Sequence, residues 1–279
     1  MLNIIKMDLY RMVKTRSLYV VWIIMAVLLF APTFLIKAES EAAQETQQSY
    51  GATDSASNNT NLGMSVEIPT ELGDKTTVYD LVYANTQAKY IALFFMIFVV
   101  LFSTADIHSG YLKNIGGQVK GRTVLIISKA VCLSIYTVVS MILVVLVQTV
   151  AAAAAFGYLK MGPWKEFLAY MGVETVLHIA LMLIVMAISI ILKNNAVSMV
   201  VSICLCMNLA TVLYSSLDKI IAKAGVKDFS VIMHTVTGKI SLLSMNPTGR
   251  DIISALLVAV IFGAVFVGIV SAVFQKRDI

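Results

Sequence analysis

The sequence of 279 residues predicts an all-α membrane protein that crosses the bilayer six times. Three observations predict it. Hydrophobic residues make up 59% of the chain against 13% charged, with a mean hydropathy of +0.86, a balance that excludes an ordinary soluble domain. The apolar residues gather into stretches at 17–37, 89–105, 124–156, 167–192, 196–217 and 251–274. Each approaches or exceeds the ~20 residues that a helix needs to cross ~30 Å of hydrocarbon, except the second, which borrows a turn from its polar flanks. Six crossings put both termini on one side, which then carries 11 Lys/Arg and 3 Asp/Glu against 10 and 13 on the other. The positive side is expected to be cytoplasmic, with the plasma membrane as the location.

Residues 1–16 read as an amphipathic helix on the inner leaflet. At 100° per residue Leu2, Ile5, Leu9, Met12 and Val13 share one face, while Asn3, Lys6, Tyr10, Arg11 and Lys14 share the other. The first span is too long for a signal-peptide core and ends without a small-residue cleavage site, so it reads as retained. Residues 38–88 turn polar and acidic, from Glu39 to Asp80 with Lys75 the single base, and read as an external segment. Its first part has little apolar to bury, while Val78, Leu81, Val82 and Ala84 extend the second helix outward. Gly162-Pro163 turns the third span into the fourth, and Lys193-Asn194-Asn195 turns the fourth into the fifth; such short connections make antiparallel neighbours. Residues 218–250 read as interfacial or re-entrant helix pieces stopped near Asn246-Pro247, and 275–279 as a cytoplasmic tail.

Several chemistries fall away. The net charge of +5 sits at span ends, where it meets lipid headgroups or a partner rather than nucleic acid. Cys132, Cys204 and Cys206 lie inside spans, and residues two apart on a helix cannot share a metal. Gly116 to Thr123 nearly fits a phosphate loop but lacks its lysine and follows no strand. No His-Glu-x-x-His occurs among the 3 histidines. The chain itself is expected to have no catalytic residue, metal or cofactor.

The inner connection 106–123 carries the most information. Asp106 ends the second span, Gly110 follows, Lys113 and Lys120 charge the loop, and Arg122 and then Lys129, after Ser128, open the third span. Here the chain resembles the membrane subunits of ABC-2 type transporters, in which an acidic residue, a glycine, a short coupling helix and a basic opening of the third helix follow in that order. The layout of the whole chain is similar as well, and its long outer segment looks closest to the peptide or bacteriocin-resistance exporters. The resemblance implies an ABC-2 (type V) exporter fold paired with an identical or related permease. It also implies two ATP-binding subunits that hold the ATP and Mg and push through Lys6, Arg11, Lys14 and the 106–129 region. The cargo would be hydrophobic or amphipathic: a peptide, bacteriocin or lipid.

Deep in the spans, Glu174 and His178 are four residues apart and share a helical face. Intramembrane ionisable groups face a cavity or a partner, so the pair reads either as part of a translocation path or as a buried packing bond. Gln148 and Asn208 are further polar residues at depth, with interhelical hydrogen bonding as their default. From another class, the chain reads as a non-transporting immunity or sensor protein whose acidic outer segment binds antimicrobial peptides. An intramembrane hydrolase built on Glu174 and His178 is a third reading.

Overall fold

The computed structural model describes residues 1–49, 69–70, 75–109, 121, 123–207, 209–223 and 230–276. Within them every regular element is helical. In chain order these are α1 (Leu2–Lys14), α2 (Arg16–Ser49), α3 (Val78–Gln87), α4 (Tyr90–His108), α5 (Thr123–Phe156) and α6 (Trp164–Leu192). There follow α7 (Asn195–Cys206), α8 (Leu209–Lys223), a 3₁₀ turn (Val231–His234), α9 (Val236–Leu242) and α10 (Gly249–Gln275). Five helical stretches are long and apolar enough to cross a membrane: Arg16–Phe34 of α2, Tyr90–Ile107 of α4, and all of α5, α6 and α10. The chain is a multi-pass membrane protein.

The stretch 196–217, expected as one span, is two helices. Met207 takes extended backbone (φ −71°, ψ 153°) and ends α7 after 12 residues, a rise of about 18 Å that is too short to cross. Beyond it α8 carries Ser215, Ser216, Asp218, Lys219 and Lys223, a composition that no hydrocarbon layer would hold. The first span differs in the other direction. Its helix runs past 37 to Ser49, because residues 38–45 are mostly Ala, Glu and Gln, strong helix formers despite their polarity. Those 34 residues rise about 51 Å, roughly 20 Å more than the hydrocarbon requires.

Local chemistry sets most of the boundaries. Thr77 and Asp80 form a capping box that starts α3, and Lys89, in the left-handed region at φ 57°, separates α3 from α4. Lys193, at φ 56°, ends α6, and the Asn194 side chain then accepts hydrogen bonds from the Ala196 and Val197 amides to open α7. Thr248 and Asp251 repeat the capping box at α10.

Helices α4 and α6 are the most enclosed spans, while α2 and α10 leave most of their surface uncovered by the rest of the bundle. Between them lies an aromatic core: Tyr136 of α5 packs on Phe98 and Phe95 of α4 at 4.4 and 5.8 Å between ring centroids. Trp22 of α2 stacks on Tyr136 and donates its indole N–H to Ser140 at 2.9 Å. At one end of the bundle α1, the ends of α4, α6 and α10, and the start of α5 converge, with the Gln275 amide donating to Thr123 Oγ1 at 2.5 Å. At the other end α3 is wedged against the start of α6. Its Tyr79 packs on Phe167 and Tyr170 and donates its hydroxyl to the Met245 carbonyl, while the Val78 amide donates to the Lys160 carbonyl at 2.9 Å.

Candidate functional site at the shared helix ends

Where the helix ends converge, four charges from three separate parts of the chain close on one another. Asp8 and Arg11 are three apart on α1 and therefore on one side of it, with Arg11 Nη1 3.7 Å from Asp8 Oδ1. Arg11 reaches across to donate Nη2–H to Asp106 Oδ1, near the end of α4. The other oxygen of Asp106 accepts from Lys129 Nζ at 2.6 Å, on the second turn of α5. Ser128, beside Lys129, donates its hydroxyl to Asp8 Oδ2 at 2.5 Å. Among the described residues two carboxylates face two cations, so these four groups balance in charge.

Burial makes this arrangement consequential. Asp106 is 2% exposed, Asp8 3% and Lys129 5%, so none can fall back on water if its partner is lost. Lys129 has further support: Nζ lies 3.3 and 3.4 Å from the Ser103 and Phe102 carbonyls and 5.1 Å from the Phe102 ring centroid. Those carbonyls belong to the last turns of α4, the negative end of its dipole, where a cation is favoured. A void of about 10 Å³ lies among Asp8, Ser103, Asp106 and Lys129, room for roughly one water. Burial raises the Asp8 carboxyl above its ordinary 3.8, against the pull of the Ser128 hydroxyl and the Lys129 charge. Cys132 Sγ, 3.7 Å from the Ile5 carbonyl, adds a contact between α5 and α1.

Of the residues expected to couple to a partner, the structure brings Arg11, Asp106 and Lys129 together. Lys6 and Lys14 are exposed on the far side of α1, Lys14 with its Nζ 4.8 Å from the Tyr10 ring centroid. Gly110, Lys113, Lys120 and Arg122 lie outside the described residues, as does Asn208. The sequence reading overlooked Asp8. Its signal was its isolation, as the only acid in residues 1–38, one turn from an arginine on a helix otherwise basic and apolar.

The second candidate set lies mid-bundle and is separate. Glu174 and His178 on α6 are both fully buried, with His178 Nδ1 3.4 Å from Glu174 Oε2. Gln148 does not join them; its amide donates to Thr33 Oγ1 at 2.9 Å and so ties α5 to α2. Among the described residues no group of three or more His, Cys, Asp or Glu is placed to hold a metal ion.

The family model described as "Protein of unknown function (DUF2705)" matches residues 54–279. The chain belongs to the DUF2705 family. No curated protein matches it. In this DUF2705 protein the matched region contains Asp106, Ser128, Lys129, Glu174 and His178, whereas Asp8 and Arg11 enter the ionic cluster from α1, ahead of the match.

Proposed function

We propose that this DUF2705 protein is the membrane subunit of an ATP-driven exporter, ABC-2-like in fold, that moves a hydrophobic or amphipathic cargo across the plasma membrane. In this reading both termini face the cytoplasm, a second permease completes the path, and two separate ATP-binding subunits supply the energy. The observation that carries it is the neutral cluster of Asp8, Arg11, Asp106 and Lys129. It ties an interfacial helix, the end of one span and the start of the next into one stiff unit. The basic segment containing Lys113, Lys120 and Arg122 springs from that unit, so a push on the segment is delivered to α1, α4 and α5 together. A flexible attachment would dissipate the same push. For ATP to drive a change, the partner's nucleotide states must bind two permease conformations unequally.

The test is to purify the tagged full chain from its native membranes and assay the preparation for ATP hydrolysis. The reading expects an ATP-binding subunit in the complex, with hydrolysis that the chain alone lacks. It also expects the triple replacement of Lys113, Lys120 and Arg122 by Ala to release that subunit while leaving the chain folded. Recovery of the intact chain with no ATP-hydrolysing partner, or hydrolysis by the isolated chain, overturns it.

A further inference from the structure

His178 is the middle residue of α6, and Glu174 lies one turn nearer its start, about 15 Å along the helix from Trp164. Both are 0% exposed. His178 Nδ1 lies 2.8 Å from the backbone carbonyl of Glu174, an acceptor only, so Nδ1 must carry a hydrogen and donate it there. Among the described residues that leaves Nε2 without a partner, and it leaves both carboxylate oxygens of Glu174 without a hydrogen bond. Around them the walls are largely aromatic. The Phe95 ring of α4 lies 5.9 Å from the imidazole, Tyr136 of α5 packs behind Phe95, and Tyr170 sits one turn before Glu174. Tyr79 and Tyr83 of α3 cover Tyr170 at 5.6 and 5.4 Å between centroids.

The charge arithmetic is decisive in such a place. With Nδ1–H committed, the pair has net charge −1 with no further proton, zero with one, and +1 with two. A net charge buried in a low-dielectric interior costs several kcal/mol unless another charge offsets it. Among the described residues none stands close enough. The titratable side chains nearest the pair among the described residues are tyrosines: Tyr79 and Tyr83 from α3 and Tyr170 from α6 itself, with Tyr136 of α5 behind Phe95. Asp106 and Lys129 neutralise each other at the shared helix ends, Arg250 and Asp251 sit exposed on the first turn of α10, Lys239 of α9 lies near Asp251, and α7 offers Cys206, which is near Lys89. A proton also needs no volume, which suits a site this enclosed.

We propose that Glu174 and His178 form a proton-binding site at the middle of the membrane, the carboxyl and the imidazole holding one proton between them. Among the described residues the tyrosines of α3 cover this buried site, so the bound proton exchanges slowly unless that helix moves. This holds whether or not the chain is an exporter subunit.

Infrared spectroscopy of the full chain in lipid bilayers tests it. Wild type, Glu174→Gln and His178→Asn would be compared from pH 5 to 9 in H₂O and D₂O, with isotope-labelled histidine. The wild type is expected to show one proton equivalent on the pair throughout, as a carboxylic-acid band lost in E174Q or as a His178 imidazolium signal lost in E174Q. H178N is expected to place that proton wholly on Glu174 as an acid band, and in the wild type the signal should shift in D₂O only slowly. An ionised Glu174 carboxylate beside a neutral His178 at pH 7 overturns the proposal, as does a signal that exchanges as fast as a surface carboxyl. If E174Q fails to fold, the labelled wild type and H178N decide the matter.

Discussion

Replacing Asp106 by Asn removes one charge and almost no volume, which isolates the electrostatics of the cluster at the helix ends. Lys129 then keeps the Phe102 and Ser103 carbonyls but loses the one carboxylate it bonds among the described residues, at a position 6% exposed by side chain. Removing one partner of a buried pair costs about 3–5 kcal/mol, most of it the stranded charge. Arg11 loses less, because its side chain is 30% exposed and Asp8 stays 3.7 Å away; solvent screening holds that part below about 1 kcal/mol. The expected destabilisation of D106N is therefore about 3–5 kcal/mol, set by Lys129. Denaturant unfolding of the purified chain in detergent measures it, in a double-mutant cycle with Lys129→Met. The double variant is expected to recover most of the loss, since it strands no charge. A single variant within about 0.5 kcal/mol of wild type, or a double variant as unstable as the single, refutes the reasoning.

Asp8 gives a pH signature. Its folded-state carboxyl holds its proton more tightly than the ordinary 3.8, so its contribution to stability is present in acid and is lost as pH rises through the raised value. Unfolding midpoints of Asp8→Asn relative to wild type should therefore improve as pH climbs through that window, and a flat difference would contradict the assignment. Gln148→Leu is expected to cost about 0.6 kcal/mol, and at most about 2, with no further loss when Thr33→Val is added, because one interhelical bond accounts for both. Gly162, at φ +88°, sits where an added Cβ would lie 3.1 Å from Tyr79 Cβ and 3.2 Å from Thr77 Oγ1. Gly162→Ala is expected to lose about 1–2 kcal/mol and to loosen α3, read as faster hydrogen exchange at Tyr79 to Tyr83.

The membrane class was legible because composition and span length act through a single property, transfer from water to hydrocarbon, that sums along a local window. The exceptions are places where a window average hides a local event. Across 196–217 the average stays apolar, yet one extended residue at Met207 suffices to end a helix, and no proline or glycine announces it. In 38–49 the average turns polar, yet helix propensity does not depend on burial, so α2 continues to Ser49. Glu174 and His178 were visible as a pair from their spacing alone. Their shortage of partners was not, since it depends on rings contributed by α3, α4 and α5.

The ionic cluster exposes a deeper reason why part of the site stayed hidden. A helical wheel sorts α1 into two faces because it knows only apolar and polar, but the helix meets three surroundings. Its protein-facing side is centred on Asp8 and Met12, the two buried residues, roughly 90° around from the centre of the apolar face at Leu2, Leu9 and Val13. Leu2 and Val13 are 66% and 51% exposed, which is tolerable for apolar side chains only where lipid meets them, while Lys6, Tyr10 and Lys14 point to a third, aqueous side. The strip between the two wheel faces is thus the docking side, and it holds the charges because the groups it meets, Ser128, Lys129 and Asp106, are charged or polar. A greasier Asp8→Leu variant would deepen the nominal amphipathicity and yet undock the helix, since it offers Ser128 no acceptor and takes away the carboxylate 3.7 Å from Arg11. Protease sensitivity of α1 in bilayers separates the two expectations. Faster cleavage in D8L supports three faces, and slower cleavage would mean that lipid affinity alone positions the helix.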